Sequence, residues 1–198
     1  MLKLVDFAER LFVVLIATPF MIAFARVLPS QPHVLLIMVS ELLAVALVLV
    51  RRPGQIVASP YAFTIALLGT SLPLLIRPTP GLEILPPAAA SVVMMAGLCL
   101  NISAKLFLNR SFGIVAANRG VKRGGPYRLV RHPMYLGYIT TEVGYLLANL
   151  NAVNLALYGL AWAIQVLRIR EEERFLTQDE RYRQYAERVT YRLVPGVY

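Results

Sequence analysis

Six apolar stretches, at about 11–28, 33–50, 60–76, 86–108, 134–148 and 152–167, dominate this chain. Breaks containing proline, glycine or asparagine separate them: "LPSQPH", "RRPGQ", "RPTPG", a long 109–133 loop and "NLN" at 149–151. Apolar runs of this kind are the signature of membrane-spanning helices. Only 16% of the residues are charged, where soluble domains carry about a quarter. The expectation is a single all-α membrane domain over residues 1–198, a polytopic helical bundle of about six transmembrane segments. Its last two segments form a helical hairpin, followed by a cytosolic tail. The fifth run is short. Its 15 residues, at about 1.5 Å each, make roughly 22 Å against a hydrocarbon core of about 30 Å. It either crosses incompletely or begins earlier, at Arg131 or His132.

Charge gives the orientation. Lys3, Arg10, Arg51, Arg52, the 109–133 loop and the tail put most basic residues on one side; Arg26 and Arg77 stand on the other. By the positive-inside rule both termini are cytosolic. The first run lacks a small-residue cleavage site after it and reads as a retained span. The short length and the lack of extra targeting segments point to a prokaryotic inner membrane. A net charge of +9 could suggest nucleic acid, but its distribution argues otherwise. Residues 101–133 hold seven basic residues and no acid, and the tail from Arg168 holds seven basic and six acidic residues. Basic excess beside spans is the ordinary cytoplasmic bias, with attraction to anionic membrane lipids; no nucleic-acid partner is expected. With His33, His132 and the lone Cys99 as the available soft ligands, a zinc site is implausible and no metal is expected.

Two polar clusters interrupt this pattern. The first is "GGPYRLVRHPMYLGY" at 124–138. Gly124–Gly125–Pro126 must turn, and Pro133 suits the first turn of the fifth helix. Amides just beyond it could receive an anion. Tyr135, Tyr138 and Glu142 follow on one helical face. A basic, aromatic interfacial anchor is the plainer account, but it leaves the glycines, His132 and Glu142 together unexplained. The second cluster starts at "RIREEERFL", where Arg168 and Glu172 share a face, and continues as a charged tail. Three successive glutamates at a helix C-terminus oppose its dipole and need local partners, for which Arg168 and Arg170 are nearest. Arg174, Asp179, Glu180, Arg181 and Glu187 read as a solvated face. Within the spans, Lys105 is expected to snorkel to the interface and Glu41 to be a structural hydrogen-bonding group. Glu142 is a candidate for function.

Together the clusters resemble the isoprenylcysteine carboxyl methyltransferase family and its wider relatives, which include phospholipid N-methyltransferases. The resemblance is carried by "GPYRLVRHPMYLG" at 125–137, "RIREEERFL" at 168–176 and "RYRQYAERVTYRLVP" at 181–195. It covers about residues 100–198, a methyltransferase-like core with the cytosolic loop 109–133 and the tail 168–198. Residues 1–85 carry no signature. The family implies S-adenosyl-L-methionine as cofactor, taken from the cytosol, and a lipophilic acceptor taken from the bilayer. Carried over by position, Tyr127, His132, Pro133, Met134 and Tyr135 would line the cofactor pocket, with Arg119, Gly120, Val121 and Lys122 contributing from the loop. Glu172 would contact the cofactor and Arg168 would hold the acceptor. There are two departures: the loop between Phe112 and Gly125 is short, which bears on which residues meet the adenosine, and "TQDERY" stands where many members have a Phe-Gly pair, which suggests a branch with a different acceptor.

The chemistry of the residues is compatible. The cofactor carboxylate would suit Arg131, His132 or helix amides, and its sulfonium would suit tyrosine faces. A carboxylate acceptor, as on a prenyl-cysteine-like substrate, needs only a clamp such as Arg168. A phospholipid amine or a small thiol must lose a proton, which makes His132 or Glu142 a candidate base. Two weaker alternatives are an NADPH-dependent reductase, since "YRLVPGVY" resembles the end of sterol reductases, and a transporter built on Glu41, Lys105 and Glu142.

Overall fold

The structure, a computed structural model, describes residues 2–27, 34–57, 59–76 and 81–198. Among these residues the chain is all-helical apart from one short strand pairing. The helices are α1 (Leu2–Val27), α2 (Val34–Val50), α3 (Pro60–Ser71), α4 (Pro87–Leu108), α5 (Pro133–Ala148), α6 (Ala152–Leu176) and α7 (Glu180–Arg188). Strands β1 (Gln55–Ile56) and β2 (Ala117–Asn118) pair antiparallel. His33 and Arg77 lie outside the described residues.

The helix boundaries follow local chemistry. The Ser59 hydroxyl accepts from the Ala62 amide and Pro60 opens α3, because proline at the first position gives up only an amide that had no partner. Pro133 opens α5 in the same way. The Asn151 side chain accepts from Asn154 N to start α6, and Asp179 accepts from Arg181 N to start α7. Six helices overlap the six apolar runs, α1 starting well before its run, at Leu2, and α3 ending before the end of its run, at Ser71. The sixth is longer than its run: α6 continues to Leu176, so the "RIREEERFL" stretch is its last two turns and more. The fifth starts at Pro133, and its 16 residues reach only about 24 Å.

Two helical segments, Pro87–Ser111 and Ala152–Leu176, are long and apolar enough to cross a membrane. Apolar side chains such as Leu15, Leu42, Val92, Leu106, Val153 and Leu160 face outward from four helices. Exposed apolar surface of that extent marks contact with lipid or protein.

Helices α4 and α5 pack almost backbone to backbone. A Cβ on Gly137 would lie 2.7 Å from Asn101 N and 2.8 Å from Gly97 O; one on Gly144 would lie 2.8 Å from Met94 N. Only small residues allow such an approach. Polar side chains tie α2 into this pair. Ser40 Oγ donates to Asn101 Oδ1 (3.0 Å), Asn101 Nδ2 donates to Met134 O (3.1 Å) and Lys105 Nζ donates to Ser40 O and Oγ (3.0 and 2.9 Å). Lys105 is fully buried and lies over the Tyr138 ring. It therefore does not snorkel: Ser40 and the ring supply inside the bundle what water would have supplied at the interface. Glu41 stands 3.9 Å from Lys105 Nζ and is partly exposed. The largest buried cluster sits at one end of the bundle, where Phe112, Val115, Tyr127, Tyr135, Ile169, Tyr182 and Leu193 converge.

Candidate functional site

Between α5 and α6 the spacing is wider, and at the end nearest Pro133 it opens into a cavity of about 810 Å³, counting its mouth. One wall is the 111–122 segment, another is the first turn of α5, the third is the end of α6, and α7 closes the cavity with Tyr182 and Tyr185. The 111–122 wall is held by its own turn chemistry. Gly120 has φ +96°, a conformation that favours glycine, and its amide donates to Asn118 Oδ1. Asn118 Nδ2 in turn donates to Asp179 at the start of α7 (2.8 Å). Gly125, φ +55°, turns the chain beneath the Phe107 ring, where no Cβ would fit.

The "RHP" corner and the glutamate run face each other directly. Glu173 Oε1 accepts from Arg131 Nε (3.0 Å) and from the Tyr182 hydroxyl (2.7 Å), and lies 2.8 Å from His132 Nε2. Arg192 approaches the other oxygen at 3.8 Å. Glu172 accepts from the Tyr135 hydroxyl and lies 3.7 Å from His132 Nδ1. The partners of these glutamates thus come from the α5 corner and the tail, not from Arg168 or Arg170. A contact across the bundle outweighs sequence proximity, because Arg168 is used elsewhere. Its Nη2 donates to Ile114 O (3.0 Å) and its guanidinium stacks over the Tyr135 ring, 5.2 Å from the centroid.

The tail completes the corner with its backbone. The amides of Arg131 and His132 donate to Tyr191 O and Arg192 O (3.0 and 2.8 Å). Arg131 also donates to Ala186 O and Val189 O, and the Tyr185 hydroxyl donates to Tyr127 O (2.7 Å). Burial pushes the phenols of Tyr127, Tyr182 and Tyr185 above their ordinary range, with added repulsion from Glu172 at Tyr127 and from Glu173 at Tyr182. All three remain neutral donors at any physiological pH.

Of the residues singled out in the sequence, Arg119, Gly120, Val121, Lys122, Tyr127, Arg131, His132, Met134, Tyr135 and Glu172 line this cavity. Pro133 is buried at the start of α5 and forms no part of the lining. Arg168 lies next door, in a small open pocket of about 190 Å³ counting its mouth, shared with Ala62, Ile65, Ala66, Ile114, Ala116, Glu171 and Glu172. Glu142 is two turns further along α5, where it accepts from Trp162 Nε1 (2.5 Å); it lines neither space. Arg131 faces the cavity, but its polar atoms are spent on Glu173 and the tail. The lining also carries the charged side chains of Glu172, which keeps its contacts to Tyr135 and His132, and of Lys122 and Arg119 from the loop. Among the described residues no cluster of three or more metal-ligating side chains occurs.

Sequence reasoning missed Tyr182 and Tyr185, which close the cavity, and two carboxylates. Glu173 was one of three adjacent glutamates, and its only distinguishing signal was that a dipole-opposing carboxylate needs cations. Glu9 is fully buried, with its carboxylate 2.5 Å from Arg51 and accepting from the amides of Ile114 (2.7 Å) and Val115 (3.2 Å). An acid near the start of an apolar helix, with Asp6 one turn before it, offers no periodic signal for such a role.

No curated protein matches the chain. Residues 89–178, which supply α4, the loop wall, α5 and α6, match the model of the isoprenylcysteine carboxyl methyltransferase (ICMT) family, the one its motifs resemble and one that implies a membrane methyltransferase.

Proposed function

We propose that this protein transfers a methyl group from S-adenosyl-L-methionine to a lipophilic acceptor drawn from the bilayer, the carboxylate of a prenyl-cysteine-like molecule being the acceptor that fits best. The observation that carries the reading is the meeting of the two motif clusters across one cavity. The donor set suits the cofactor. Glu172, partly exposed on the cavity wall, would accept from ribose hydroxyls or the amino group. Lys122 and Arg119 would face the carboxylate, and the rings of Tyr127 and Tyr135 would border the sulfonium. Bound there, the cofactor supplies an electrophilic methyl whose transfer is an in-line displacement, so alignment can provide much of the acceleration. Arg168 would hold the acceptor carboxylate with the guanidinium nitrogens left over from Ile114 O. No general base is needed for an anionic oxygen, and Glu142 would keep a structural role beside Trp162.

One observation favours a second acceptor class. Glu171 and Glu172 flank Arg168 on the small pocket, a setting that would also suit the cationic head of an amine. His132, on the neighbouring cavity, would then be the candidate to take a proton. Base treatment of the labelled product separates the two, since methyl esters hydrolyse and N-methyl groups survive.

Calorimetry on the detergent-solubilised chain tests the whole reading. Saturable binding of S-adenosyl-L-methionine is expected, weakened at least about tenfold in Glu172→Ala by loss of a charge-assisted hydrogen bond and weakened also in His132→Ala. Arg168→Ala should keep cofactor binding and lose turnover. Absence of binding by the wild type, or binding of NADPH in its place, would end the proposal.

A further inference from the structure

The buried Glu9–Arg51 pair lies outside the family-matched segment and outside the cavity, yet it grips the wall between the two pockets. Both side chains have no solvent exposure, and Glu9 comes from α1 while Arg51 follows α2. Burying two charges costs several kcal/mol per ion unless geometry and further hydrogen bonds compensate. Here the further bonds are the amides of Ile114 and Val115, both donating to Glu9 Oε1.

These are particular amides. Phe112, Gly113, Val115 and Ala116 line the large cavity, whereas Ile114 and Ala116 line the small pocket that holds Arg168. The 113–116 segment is thus the partition between the two spaces, and Ile114 and Val115 address opposite sides of it. Ile114 is held at both ends of its backbone, by Glu9 at the amide and by Arg168 at the carbonyl. The neighbouring connections run the same way. Arg52 N donates to Arg110 O, Arg110 Nε donates to Val50 O, and Val57 N donates to Ala116 O.

We propose that Glu9, fixed by Arg51, is a positioning residue that sets the 113–116 partition and thereby the distance and angle between whatever fills the cavity and whatever reaches Arg168. The kinetic part of this inference rests on the methyl-transfer reading; the geometric part does not. A misplacement of about 1 Å at a reacting pair can cost on the order of a hundredfold in rate while leaving each ligand bound.

The test uses the full chain in detergent and two double variants that both remove the charge pair, so neither leaves a lone buried ion. Glu9→Leu/Arg51→Met also removes the acceptor for the amides; Glu9→Gln/Arg51→Met keeps one. Hydrogen exchange without ligand should accelerate at Ile114 and Val115 by at least about tenfold in the Leu variant, with α4 and α5 unchanged, as expected for local release. Its kcat should fall about 10- to 100-fold while its Kd for S-adenosyl-L-methionine stays within about threefold, the pattern of lost alignment rather than lost binding. The Gln variant should remain near wild type in both readouts. Unchanged exchange in the Leu variant, identical behaviour of the two variants, or loss of protection throughout α4 and α5 would overturn the proposal. If the wild type binds no S-adenosyl-L-methionine, the methyl-transfer reading falls and the exchange comparison alone decides this one.

Discussion

Helix α5 has two neighbours and meets them in opposite ways. Against α4 it gives up side chains: Gly137 and Gly144 face Gly97, Asn101 and Met94 so closely that no Cβ fits between them. Against α6 it keeps long polar side chains that span a gap, Tyr135 to Glu172, His132 to Glu173 and Trp162 to Glu142. The first seam is rigid because interiors packed at crystal density cannot yield. The second leaves volume, and that volume is the cavity. One helix therefore serves as the fixed wall of a site and as the bearer of its functional side chains, and the two duties fall on different faces.

The contrast can be broken from either side. Gly137→Leu should have the largest effect, above about 4 kcal/mol, because the obstructing atoms are backbone and no rotamer relieves them. Loss of folded protein in size-exclusion chromatography is expected, and a variant with near wild-type thermal stability would refute the close seam. Glu173→Ala comes next, at about 3 kcal/mol, since Arg131 and His132 lose the carboxylate they converge on. Limited proteolysis should then cut the 177–198 tail while α4 and α5 resist; a resistant tail would show that its backbone bonds suffice. Tyr135→Phe is the smallest, about 1 kcal/mol for one hydrogen bond to a partly exposed carboxylate that water can rehydrate. Its sharper signature is a weaker cofactor affinity with little change in melting temperature.

The six helices were legible because runs of apolar residues bounded by breakers are a local signal. So was the pairing of the two clusters, because their polar content in an oily chain demanded a purpose. Three features were not. The end of α6 at Leu176, beyond the glutamates that read as its C-terminus, was hidden by charge, since apolarity ceases at Leu167 while helix-forming residues continue. The inward course of Lys105 depends on Ser40, 65 residues away, and hydropathy knows nothing of such partners. Nothing in the sequence marks Glu9, because its acceptor role is fulfilled by amides more than a hundred positions downstream. In each case the deciding contact is distant in sequence, and periodicity reports only on neighbours.

The carbonyls of Tyr191 and Arg192, clasped by the amides at the mouth of α5, make occupancy of the cavity and attachment of the tail reciprocal. Any small molecule that touches Tyr182 or Tyr185 while bound favours the attached state, and attachment must favour that molecule by the same free energy. A guest inside the pocket should therefore announce itself in the segment that closes it, as a tail that proteases can no longer reach.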